Sequence, residues 1–253
     1  MTVSIARRHE LPDLTSLERE KCCLALNVTK PYSFYLPGDI DPTEGIIHAD
    51  SIAESIANSL PETVPTRVYT SPFLRTTHTA SILAKRLPKH GSTVNIEEGL
   101  YEYMIPSLLV DREGIRTYPR SVHELKQICG NIDESYEQTV KITEEMYPED
   151  ENRLIERSRK ALEGILKHAS GENVAIVAHA PCVQALAFIM EGASSVEESN
   201  LAQWPLGGIT MFSRSDIDSS YRLECYGQTD HMPGKYKNGE GLWSLPCFDK
   251  TRP

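Results

Sequence analysis

The chain has 253 residues, 40% hydrophobic and 25% charged, with a formal net charge of −10. That composition excludes a disordered or fibrous protein, and the acidity argues against a general binder of nucleic acid or anionic membrane, both of which need a basic face. No apolar run of ~20 residues reads as a membrane span and no amino-terminal pattern reads as a signal peptide, so a cytoplasmic protein is expected.

Val3-Ser4-Ile5-Ala6 reads as a short buried strand that ends in Arg7-Arg8-His9-Glu10. Open α/β sheets place ligands at the carboxyl ends of their strands. Histidine offers a nucleophilic nitrogen there, and arginine a planar fork of donors for phosphate oxygens. Leu11 to Asp41, with Pro12, Pro31, Pro37 and Gly38 and the aromatics Tyr32, Phe34 and Tyr35, reads as an irregular insertion over that sheet edge. A helix follows, capped by Thr43, with Ala49, Ile52, Ala53, Ile56 and Leu60 at helical spacing and Pro61 as its stop.

Thr66 to Thr70 reads as a second strand, and Ser71-Pro72 as the start of a helix that carries Arg75 in its first turn. Thr93 to Glu97 reads as a third strand, followed by Gly99-Leu100-Tyr101-Glu102-Tyr103. Met104 to about Asp150 reads as a polar, helical excursion. Glu151 to His168 has the pattern of a long amphipathic helix closed by Gly171. Val174 to Ala178 is continuously apolar, as a strand covered on both faces should be, and it runs into His179. A helix over Pro181 to Met190 and late strands over Ile209 to Ser213 and Tyr221 to Tyr226 follow, with a surface-wrapping tail from Gly227. Strands alternating with helices predict one α/β domain over residues 1–253, three-layered, with a mostly parallel central sheet and helices on both faces.

Three strand ends thus carry Arg8 and His9, Arg75, and His179. Parallel neighbours would bring these cations to one point, where an anion is the natural guest. His78, one turn beyond Arg75, shares its helix face and is a candidate lining residue.

In these residues the chain resembles the histidine phosphatases, the phosphoglycerate-mutase-like superfamily. Their hallmark Arg-His-Gly corresponds to Arg8-His9-Glu10, the segment Ser71-Pro72-Phe73-Leu74-Arg75 to their Ser-Pro-x-x-Arg, and His179 to their late histidine. The resemblance is nearest to the phosphatase domain of the suppressor of T-cell receptor signalling proteins and to the insect ecdysteroid-phosphate phosphatases. It implies that His9 attacks phosphorus to form phosphohistidine and that Arg8, Arg75 and His179 hold the phosphate oxygens. Glu102 would protonate the leaving oxygen and then activate water. Tyr35, His78 and Tyr101 are the candidate substrate contacts. No metal or cofactor is implied. The ligand would be a phosphorylated small molecule or a phosphotyrosine protein, and the assembly a homodimer.

Two departures stand out. Glu10 replaces the family's glycine, and Pro12 stands where the nearest branch has another phosphate-binding arginine. They support a rival reading, an inactive or weak pseudophosphatase that recognises phosphate without turning it over. A phosphoglycerate-mutase-type phosphotransferase is the second rival. Asp39-Ile40-Asp41-Pro42-Thr43 matches the magnesium-dependent Asp-x-Asp-x-Thr start, but Pro37-Gly38 breaks the buried strand it needs. No cysteine has arginine six positions on, so a thiolate phosphatase is excluded, and there is no nucleotide-binding Gly-x4-Gly-Lys loop. The six cysteines, at 22, 23, 129, 182, 225 and 247, lack metal spacing and read as reduced thiols.

Overall fold

A computed structural model describes residues 44–58, 64–87, 93–106, 108, 119–196, 198–199, 201–215, 220–239 and 241–248, together with the backbone of 21–27. Among these, six strands form one sheet: β1 (Lys21–Asn27), β2 (Arg67–Thr70), β3 (Val94–Ile96), β4 (Val174–Ala178), β5 (Ile209–Arg214) and β6 (Arg222–Gln228). Their order is β3-β2-β4-β1-β5-β6. The first four run parallel to one another, and β5 is antiparallel to both β1 and β6.

The five helices described are α1 (Glu44–Ala57), α2 (Leu74–Arg86), α3 (Val122–Cys129), α4 (Glu151–Ala169) and α5 (Ala180–Glu191). They cover both faces of the sheet, and β4 shows why. All five of its residues are buried. Val174, Ile176 and Ala178 pack with α4 and α5 residues such as Leu154, Ile165, Val183 and Leu186. Ala175 and Val177, pointing the other way, pack with Ile52 and Ile56 of α1, Leu83 of α2 and Leu125 of α3. Alternation of side chains along a strand makes one apolar run serve two cores. The three-layer α/β architecture expected from the sequence is therefore present.

Helix ends follow local chemistry. Asp150 caps α4 by accepting the Arg153 N–H at 2.9 Å, and Ser121 and Glu124 form a reciprocal capping box on α3. At the far end of α4 the left-handed position belongs to Ser170 (φ 49°), with Gly171 next (φ 93°).

Four expectations are corrected. Residues 11–41 are not irregular throughout, because Lys21–Asn27 forms β1 between β4 and β5. Its run Cys-Cys-Leu-Ala-Leu suits a strand flanked on both sides. The Val3–Ala6 strand lies outside the described residues, as do the Thr43 cap and Leu60. Ser71 and Pro72 precede α2 rather than begin it, since Phe73 is the residue before its first turn. The excursion after Met104 is mostly non-helical where described: it holds α3 and a short turn at Glu144–Met146. Finally, the tail does more than wrap the surface. Leu245 and Phe248 are buried in the core, and the backbones of Trp204 and Trp243 exchange two hydrogen bonds of 2.6 and 2.8 Å.

Buried polar groups fasten the non-helical excursion. Glu97, fully buried, accepts from the N–H groups of Gly99, Thr139 and Val140 and from the Tyr136 hydroxyl. The same loop packs on α4 at Gly164, where an added Cβ would lie 1.9 Å from Thr139 Oγ1 and 2.6 Å from Thr139 Cβ. Gly164→Ala would improve helix propensity by about 1 kcal/mol. Overpacking of about 1–3 kcal/mol opposes it and should win, since the clash involves Cβ rather than a flexible tip. A lower urea midpoint for the variant is the expected result, and an unchanged or higher one would show that the loop yields freely.

Candidate active site

The site is built where β2, β3 and β4 end. Ser71 follows β2 and is tied to β4 by its N–H, which donates to the Val177 carbonyl at 3.2 Å. Arg75 is the second residue of α2. Glu102 follows the short turn Glu98–Leu100 that leaves β3. His179 directly follows β4 and precedes α5, which starts at Ala180 with Pro181 in its first turn.

These side chains converge. Arg75 Nη2 lies 2.9 Å from Glu102 Oε2 and 2.9 Å from His179 Nδ1. His179 Nδ1 is 3.1 Å from Glu102 Oε2, and its Nε2 is 2.8 Å from Ser71 Oγ. Glu102 Oε1 also accepts the Tyr103 N–H at 3.0 Å. The Phe73 ring stands edge-on to His179 at 4.9 Å and to Tyr101 at 4.8 Å, with the Arg75 guanidinium 4.7 Å from its centre. All of these residues are buried.

A second buried pair stands behind the first. Arg157 of α4 binds Glu149 twice, at 2.7 and 2.8 Å, and donates to the carbonyls of Gly99 (2.8 Å) and Tyr101 (3.0 Å). Glu149 in turn accepts the Met104 N–H. The pair therefore grips the backbone on both sides of Glu102 and fixes where its carboxylate points.

Burial works against charge on Glu102, but His179, Arg75 and the Tyr103 N–H together hold its carboxyl down to about 2. Burial pushes His179 below its ordinary value, against the pull of Glu102. At neutral pH the cluster thus holds an arginine cation, a carboxylate and a neutral imidazole. Glu102, depressed from 4.5 to about 2, stabilises the fold above its ordinary value and ceases to do so as pH falls through 2. The contribution is on the order of 3 kcal/mol. Stability measured by urea unfolding should fall between pH 5 and 2, and Glu102→Gln should flatten that fall. Equal slopes in both proteins would show that the carboxylate is not held in this way.

Of the residues expected from the sequence, Arg75, Glu102 and His179 are brought together. Tyr101 is buried beside them against Phe73, and His78 is half-buried one turn further along α2. Arg8, His9, Glu10, Pro12, Tyr35 and Asp39 lie outside the described residues. What the described sheet does show is the occupant of the position next to β4. The β1–β4 register pairs Asn27 with Ala178, so the carboxyl end of β1 lies beside the residue before His179. Asn27 is followed in sequence by Val28 and Thr29, neither a basic nor a nucleophilic nitrogen. Ser71, Phe73, Glu149 and Arg157 were not expected as site residues. The Ser-Pro segment was the available signal for the first two, and none pointed to the others.

Among the described residues no group of three His, Cys, Asp or Glu side chains is placed to hold a metal ion, and no helix is long and apolar enough to cross a membrane. The described cysteines 129, 182, 225 and 247 are free thiols. Burial raises the Cys182 thiol to about 11, which removes it as a nucleophile.

The fold is thus an α/β sheet with a buried arginine, carboxylate and imidazole gathered at its strand ends. The sequence profile of the histidine phosphatase superfamily (branch 1) matches residues 43–222, and the chain belongs to that superfamily. The match begins after both Arg8-His9 and β1. A search of curated protein sequences found no significant match. Among solved structures, the ecdysone phosphate phosphatase of Bombix mori bound to tungstate is similar, with a TM-score of 0.59 and 16% identity over 85% of this chain and 94% of that one. The mycobacterial glucosyl-3-phosphoglycerate phosphatase with inorganic phosphate has a TM-score of 0.54 and 17% identity over 85% of this chain and 100% of that one. A phosphoserine phosphatase variant of Entamoeba histolytica has a TM-score of 0.52 and 16% identity over 84% of this chain and 100% of that one. At such identities the likeness is one of fold.

Proposed function

We propose that this chain recognises phosphomonoesters at the Arg75–Glu102–His179 site. The observation that carries the reading is the convergence of these three side chains, within 3.1 Å of one another, from three separate elements of a histidine phosphatase fold. Arg75 offers guanidinium donors to phosphate oxygens, and His179 gains charge when an anion enters beside it. No metal is needed for that recognition. The ligand in this reading is a phosphorylated small molecule or a phosphotyrosine segment, and the assembly a homodimer.

Turnover through phosphohistidine requires a histidine at the carboxyl end of the strand beside His179. The register sets Asn27 at that place. The geometry therefore favours a pseudophosphatase, a superfamily member that holds phosphate without forming phosphohistidine. Hydrolysis with His9 as nucleophile is the second reading, favoured by the Arg8-His9 pair and by the assembled Arg75, Glu102 and His179. Hydrolysis of an aryl phosphate in the presence of chelator, by the wild type and by His9→Ala, separates the two. Sulfate binding without His9-dependent turnover is expected. Chelator-resistant turnover that disappears in His9→Ala would establish the second reading, and absence of oxyanion binding would overturn both.

A further inference from the structure

The hydrogen-bond order of the site singles out one hydroxyl. Arg75 Nη2 can only donate, and it is directed at Glu102 Oε2 and at His179 Nδ1, 2.9 Å from each. Nδ1 therefore accepts, and the proton of the neutral ring lies on Nε2. The atom 2.8 Å from Nε2 is Ser71 Oγ, which accepts the hydrogen bond from it. A serine oxygen that accepts still carries a hydrogen of its own. The rest of Ser71 is engaged elsewhere: its N–H donates to the Val177 carbonyl, and its carbonyl accepts from the hydroxyls of Thr76 and Thr77. Among the described residues the Ser71 O–H has no acceptor, although Ser71 is fully buried. Buried polar hydrogens are nearly all paired in folded proteins, so a donor held in this way points to an acceptor supplied by a ligand.

The groups behind this hydroxyl form a polarised series. The guanidinium cation donates to Nδ1, which makes Nε2–H a stronger donor, and that bond strengthens the serine O–H in turn. The positive charge of Arg75 is thus felt at Ser71 Oγ without a second cation there.

We propose that the Ser71 hydroxyl is a direct donor to the bound oxyanion, and that His179 acts through it as a positioning residue with both ring nitrogens engaged inside the protein. The inference rests on phosphomonoester recognition at this site and names the group that meets the ligand beside Arg75. It differs from the role implied by the family resemblance, in which His179 itself holds a phosphate oxygen. A phosphate ester offers three peripheral oxygens, so Arg75 and Ser71 can hold different ones. When the anion draws the Arg75 hydrogen away, Nδ1 is free to take a proton, and Glu102 Oε2 stands 3.1 Å away to receive the hydrogen bond. Nε2–H stays on Ser71 in both states.

The test is sulfate affinity of the full chain by titration calorimetry at pH 8, where proton uptake by the ring is least. Ser71→Ala should bind about tenfold more weakly, the loss of one hydrogen bond to a charged partner. Ser71→Cys keeps the shape but offers only a weak S–H donor, and should lose nearly as much. His179→Leu should weaken binding too. The double variant Ser71→Ala/His179→Leu should be no weaker than Ser71→Ala alone, because the ring acts through the hydroxyl. A crystal structure with sulfate should place Ser71 Oγ about 2.7 Å from a sulfate oxygen, with His179 Nε2 still on Ser71. Wild-type affinity in both serine variants, losses that multiply in the double variant, or a sulfate oxygen on Nε2 with Ser71 turned away would each overturn the proposal. Arg75→Gln on the same preparations keeps the two readings apart. Sulfate that depends on Arg75 but ignores Ser71 removes only the serine's part. A wild type that binds no sulfate removes phosphomonoester recognition and the serine's part with it.

Discussion

Arg157→Met should destabilise the fold by about 3–5 kcal/mol, the usual cost of removing one partner from a buried ion pair. Arg157 and Glu149 side chains are each only 1% exposed, so the surviving carboxylate would have neither water nor counter-charge. The carbonyls of Gly99 and Tyr101 would lose their donor as well. Urea unfolding measures the loss directly. The double variant Arg157→Met/Glu149→Met should recover part of it, because an apolar pair of similar volume is tolerated where a lone charge is not. Recovery should stay incomplete, since the orphaned carbonyls and the Met104 N–H remain. A loss below about 1 kcal/mol in the single variant would place the pair among weak surface-like ion pairs and contradict the burial seen here.

The second large effect concerns sulfate, which keeps its double charge between pH 5 and 8 and so reports on the protein alone. Arg75→Gln should weaken sulfate binding by about 10–100-fold, the range expected for hydrogen bonds to a charged donor. A pH dependence should accompany it. Arg75 and Glu102 already balance one another, and His179 is neutral, so a dianion brings uncompensated charge unless a proton comes with it. His179 is the acceptor of that proton. Among the described residues, the charged groups facing it are Glu102 and Arg75 in contact and Arg157 behind them, beside uncharged Ser71 and Phe73. Burial keeps His179 below its ordinary value when the site is free, and a bound anion raises it. Affinity should therefore rise as pH falls, by up to about tenfold per unit between the two values. Titration calorimetry checks this, and His179→Gln should abolish the slope. Affinity that is flat with pH in the wild type would mean that the anion's charge is balanced elsewhere.

The parts legible in the sequence share one property, a local pattern strong enough to need no partner. Val174–Ala178 is apolar at every position, and α4 repeats Leu154, Leu162 and Ile165 on one side. Arg75 and His179 each lie just past such a pattern, whereas Glu102 follows only from the family resemblance of its segment. The central strand Lys21–Asn27 has an equally plain apolar run, but its ends carry no reactive residue and proline-rich chain surrounds it. Arg157 and Glu149 were illegible for another reason. A charged residue on a helix normally reads as solvated, and only the fold shows that carbonyls more than 50 residues away converge on Arg157. Ser71 stood in a recognised segment, yet its bond to His179 spans 108 positions and has no sequence signature.

The exchange of hydrogen bonds between Trp204 and Trp243 has a practical corollary. These are the two tryptophans of the chain, and they sit together where the carboxy-terminal segment meets the body of the protein. Intrinsic emission is thus a built-in gauge of how firmly that segment is seated.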